Sequence, residues 1–132
     1  MILHLEIVGC LLIALALLHL GFPWYFDWAR ELRPLSEINR QMMQAHTFFI
    51  ALAVLLMGAL CVTCPGDLAG TPLGRRVACG LGIFWGVRLV VQFVGYSPAL
   101  WRGKAFETAA HIGFTLLWAY LTSVFLLVAA AR

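Results

Sequence analysis

Four apolar runs, each close to the length that crosses a bilayer, decide most of what this chain can fold into. The helices they imply fall at about residues 2–22, 37–63, 75–96 and 105–130. A hydrocarbon core of about 30 Å needs about 20 residues of helix to span it. No water is available there to bond exposed N–H and C=O groups, so each run must satisfy its backbone internally, as a helix. Short connections between four such helices predict an all-α, up-down-up-down four-transmembrane-helix bundle, organised as one membrane domain over residues 1–132.

Composition supports lipid as the solvent. The chain is 63% hydrophobic and 11% charged, where an ordinary soluble domain is about 25% charged. Its net charge of +3 is spread along the chain without a basic stripe, which excludes the usual electrostatic footprint of a nucleic-acid binder. The N-terminal run follows Met1-Ile2-Leu3-His4-Leu5-Glu6. It lacks a basic leader and a small-residue cleavage site, and so reads as a retained helix and not as a signal peptide.

The first connection is the most informative. Trp24, Tyr25 and Trp28 are aromatics of the kind that settle at a headgroup interface. With Arg30, Glu31 and Arg33 beside them, residues 24–33 read as a segment lying along the surface. Ser36 is placed to cap the second helix, with Glu37 in its first turn. Arg30, Arg33, Arg40, Arg102 and Lys104 fall on one side of the bundle, and Arg75, Arg76 and Arg132 on the other. The bias places loops 23–41 and 97–104 in the cytoplasm of a bacterial inner membrane.

Small residues mark close packing. Gly82-Ile83-Phe84-Trp85-Gly86 has GxxxG spacing, and Ala109 and Gly113 repeat it in the last helix. Such faces let helices approach closely. The Gly82/Gly86 face is therefore the place to expect a membrane-protein partner or a second copy, if the contact is not within the chain. Cys61-Val62-Thr63-Cys64 and Cys79 read as apolar filler, although a Cys64–Cys79 or Cys61–Cys79 disulfide fits their depth.

One place stands out as polar. Arg88 lies inside an apolar run, where a charge costs a few kcal/mol on insertion scales. Gln92 is one turn away on the same face, and Trp85 and Tyr96 extend the stripe. At 1.5 Å per residue, Gln92 lies about 6 Å and Arg88 about 12 Å below Tyr96. His19, His46 and His111 lie about 4 to 9 Å inside the ends of their own helices. In the predicted topology all of these ends meet the surface that holds the Trp24 and Trp101 loops. Each of the four helices then brings a polar side chain to a similar level, while His4 stays near the opposite surface.

Imidazole is the commonest metal ligand. Three histidines suit a transition metal such as zinc, iron or copper, and two suit the axial positions of haem b. Arg88, Arg40 or Arg102 would then pair with the propionates. The expected function is thus a small membrane subunit of a larger assembly that holds haem or a metal on His19, His46 and His111. Arg88 and Gln92 would orient or neutralise the group. Two rival expectations stand beside it. One is an accessory subunit without a cofactor, in which Glu107 or a partner neutralises Arg88. The other is a protein that binds a quinone or a lipid headgroup.

The motif Phe84-Trp85-x-x-Arg88-Leu89-x-x-Gln92-Phe93, with Arg40-Gln41 before the second helix and His19-Leu20 closing the first, resembles a family of small four-helix bacterial integral membrane proteins. The resemblance implies the same four-helix topology and carries no activity.

Overall fold

The computed structural model describes residues 1–131. Arg132, counted above among the charges of one side, lies outside them. The described chain is helical, without strands, in the order α1 (Ile2–Leu20), α2 (Phe22–Tyr25), α3 (Trp28–Glu31), α4 (Glu37–Thr63), α5 (Pro65–Gly70), α6 (Pro72–Val94), a 3-10 turn (Pro98–Leu100) and α7 (Ala105–Ala130). α1, α4, α6 and α7 are long and apolar enough to cross a membrane. The chain divides into two compact units, one of Glu6–Pro65 and one of Met1–Leu5 with Gly66–Arg132.

In the Glu6–Pro65 unit, α1 and α4 touch backbone to backbone. A Cβ placed on Gly9 would come 2.8 Å from the Gly58 carbonyl oxygen, and one on Gly58 would come 2.9 Å from that of Gly9. Gly9 also meets Val62 and Gly58 meets Ile13, so one helix number rises as the other falls and the pair is antiparallel. The sequence reading passed over this contact because neither glycine belongs to a GxxxG pair.

Between these helices the chain folds into two single turns, α2 and α3. Asp27 joins them at φ 49°, a left-handed conformation that Asp tolerates better than most residues. Arg30 bonds Glu31 at 2.9 Å and lies 3.3 Å from Asp27. The Glu31 bond, and then the Asp27 charge, push the guanidinium above its ordinary pKa. Ser36 stands at the start of α4, as expected, but its side chain makes no capping bond. Arg40 does the joining there, donating to the Arg33 and Leu35 carbonyls at 3.3 and 3.0 Å.

In the other unit, α6 starts earlier than the sequence reading placed it. Thr71 caps it, with its Oγ1 accepting from the Gly74 N–H at 2.9 Å and donating to the Asp67 carbonyl at 2.8 Å. Pro72 at the first helical position needs no amide donor. Gly82 packs on Leu126 and Gly86 on Thr122, while Gln92 meets Trp118 and His111. α6 and α7 are therefore an antiparallel hairpin. The Gly82/Gly86 face, open to a partner or a second copy in the sequence reading, is covered by α7 of the same chain. Ala109 and Gly113 are exposed, and nothing lies within 4 Å of a Cβ built on Gly113. That second small stripe is exposed among the described residues.

Candidate functional site

The α6–α7 hairpin holds a hydrogen-bonded polar network centred on Gln92, which is 6% exposed. Arg88 Nη1 donates to Gln92 Oε1 at 3.2 Å. The Trp118 indole N–H donates to the same oxygen at 3.2 Å. Gln92 Nε2 lies 2.9 Å from Nδ1 of His111.

These contacts orient the Gln92 amide. Guanidinium and indole N–H groups only donate, so the amide oxygen must face both of them and the amide NH2 must face His111. His111 Nδ1 then accepts, and in the neutral ring the proton sits on Nε2. In that tautomer the remaining ring nitrogen is a donor.

Aromatic rings hold the donors in place. The Arg88 guanidinium carbon lies 4.8 Å from the Trp118 ring centre and 5.5 Å from that of Tyr96, inside cation–π range. Trp85 and Phe114 stack on Trp118 at 5.2 and 5.6 Å. The Trp101 ring stacks on His111 at 4.6 Å, nearly parallel. Local turn chemistry puts Trp101 there: Thr108 Oγ1 donates to its carbonyl at 2.6 Å, and Gly103 at φ 79° makes the left-handed bend into α7. Among the described residues the ion pairs are confined to Arg30. Glu107, the expected counter-ion, is exposed and does not pair with Arg88. The Trp85 indole N–H is buried without a partner.

Two network members escaped the sequence reading. Trp118 lies seven residues after His111, two turns along the same face, so helical spacing alone marked it. Trp101 read only as an interfacial loop aromatic. α7 is wide enough to contact both the glycines and the Arg88–Gln92 edge.

The Glu6–Pro65 unit carries a separate cleft of about 120 Å³, lined by His19, Trp28, Gln44, Thr47 and Phe48 among others. His19 Nδ1 lies 2.7 Å from the Leu15 carbonyl oxygen. A carbonyl only accepts, so Nδ1 carries the proton and Nε2 of the neutral ring offers a lone pair. This is the reverse of His111. The Phe22 ring lies against His19 at 4.7 Å. His46 is exposed and does not line the cleft, because it sits roughly 150° round α4 from the Gln44/Thr47/Phe48 face at 100° per residue.

His19 and His46 thus belong to one unit, and Arg88, Gln92 and His111 to the other. His4 Nδ1 lies 3.0 Å from the Tyr120 hydroxyl. Haem or a metal requires imidazole lone pairs. His19 fits that requirement, having the carbonyl-bonded Nδ1 typical of ligating histidines. His111, within its network, does not. Among the described residues no three His, Cys, Asp or Glu side chains gather at ligating distance. All four cysteines are free thiols.

No protein-family model, curated protein or solved structure matches the chain.

Proposed function

We propose that this chain is a small integral membrane protein of the bacterial inner membrane that binds an oxygen acceptor at Arg88 and His111. The ligand class is a quinone carbonyl or an anionic lipid headgroup. The proposal places the four long helices in an up-down bundle, with loops 23–41 and 97–104 on the cytoplasmic side. The observation that carries it is the orientation of the Gln92 amide. With both donors on its oxygen, the amide leaves His111 a donor at Nε2, and Arg88 keeps N–H groups beyond the one given to Gln92. A guanidinium donor and an imidazole N–H donor on one hairpin call for an acceptor. The aromatic rings around them suit a flat ligand or the glycerol end of a lipid.

The purified full-length protein in lipid nanodiscs tests this. Binding of a short-chain quinone and of an anionic phospholipid is measured against Arg88→Gln. Hydrogen bonds to charged groups are worth about 1.5–3 kcal/mol, so the variant should bind the true ligand about 10- to 100-fold more weakly. Unchanged binding of both probes would overturn the reading. Quinone sensitivity alone identifies the carbonyl ligand, and phospholipid sensitivity alone the headgroup.

A second reading keeps haem or a transition metal, and His19 favours it. His19 would be one ligand through Nε2, and the group would supply redox chemistry or Lewis acidity. An optical spectrum and metal analysis of folded protein, repeated on His19→Ala, test this reading.

A further inference from the structure

The His19 cleft presents hydrogen-bond chemistry opposite to that of the Arg88 network, and it lies wholly within the Glu6–Pro65 unit. Its imidazole is tied through Nδ1–H to Leu15, which leaves Nε2 as an acceptor. The Thr47 hydroxyl gives its proton to the Met43 carbonyl at 2.9 Å, so in the cleft it has only lone pairs to offer. Gln44 can supply either kind of group. The remaining walls are aromatic or aliphatic, with Trp28 and Phe48 as the rings.

His19 and Thr47 call for a ligand that donates a hydrogen bond and fills an otherwise apolar space. The cleft's volume of about 120 Å³ is close to that of a cavity of about 150 Å³ known to hold one benzene ring. Charge does not recommend an ammonium group, since no carboxylate lines the cleft. We infer that this cleft is a binding site for a phenolic ring, whose hydroxyl donates to His19 Nε2 while its face lies against Trp28 or Phe48. The ring belongs either to a membrane quinol or to a free phenolic compound.

The test compares a phenol with its methyl ether, which has the same shape and no donor. Binding to the full-length protein in nanodiscs is followed by tryptophan fluorescence, and Trp28→Phe identifies the responding ring. One net hydrogen bond is worth about 1 kcal/mol, so the wild-type chain should prefer the phenol about fivefold. His19→Phe should erase the preference, and His19→Gln, which restores an acceptor, should recover part of it. Arg88→Gln should leave it unchanged, so this inference and the proposed function fail separately. Equal binding of phenol and ether by the wild-type chain overturns the inference even if every His19 variant fails to fold. A preference that survives His19→Phe, or tighter binding of ethanolamine than of phenol, also overturns it. A quinol loaded in the bilayer that displaces the phenol identifies the membrane source, whereas a phenol that binds undisplaced identifies the free one.

Discussion

Replacing Gln92 by Leu and by Glu separates the stability of the polar network from its chemistry. Leu removes the acceptor of Arg88 and Trp118 and the donor to His111, three hydrogen bonds in all. At about 0.6 kcal/mol each inside a membrane, these bonds contribute about 2 kcal/mol. The Trp118 indole, 4% exposed, would also be left as an orphan donor, which costs about 1–3 kcal/mol where no water reaches it. Gln92→Leu should therefore lose about 3–5 kcal/mol in reversible unfolding by sodium dodecyl sulfate in mixed micelles. Glu keeps the acceptor for Arg88 and adds a charge to that bond, so Gln92→Glu should retain most of the stability. Its carboxylate cannot donate to His111, however, and would instead accept from Nδ1. The imidazole should then switch tautomer and leave Nε2 with a lone pair. Nitrogen-15 NMR of His111 reads this directly: the proton on Nε2 in the wild-type chain, and on Nδ1 in Gln92→Glu. A wild-type His111 protonated on Nδ1 would refute the reasoning about the amide and, with it, the assignment of an acceptor ligand.

Other outcomes follow from the packing. Gly58→Ala drives a methyl against the Gly9 carbonyl and the Ile13 amide and should cost about 1–3 kcal/mol. Gly113→Ala, with open space around it, should be neutral or stabilising by up to about 1 kcal/mol in the same assay. The two candidate caps should also differ. Thr71→Ala removes a bond that is made and should cost about 0.5–2 kcal/mol, whereas Ser36→Ala removes none and should leave unfolding unchanged.

The four long apolar helices were legible in the sequence because a hydrocarbon core imposes a length and forbids unsatisfied backbone. α4 and α7 begin and end where hydropathy and the flanking polar turns placed them. α6 starts at Pro72, ahead of residue 75, because Thr71-Pro72 is a helix-start signal. The polar site was half legible. Helical spacing put Arg88 beside Gln92, and depth put His111 near them, since both properties follow from position along one axis.

What tertiary structure alone decided was rotation about those axes and the identity of each neighbour. Depth is the same all round a helix, so it could not show that His46 faces away from the cleft that His19 lines. Nor could it show that α7 covers the Gly82/Gly86 face, or that Gly9 meets Gly58. Proton placement was further still from the sequence, because a histidine's tautomer is set by what its other nitrogen touches. Leu15 makes His19 an acceptor, and Gln92, held by Arg88 and Trp118, makes His111 a donor. Two histidines that look equivalent in the sequence therefore present opposite chemistry, and only their hydrogen-bond partners distinguish them.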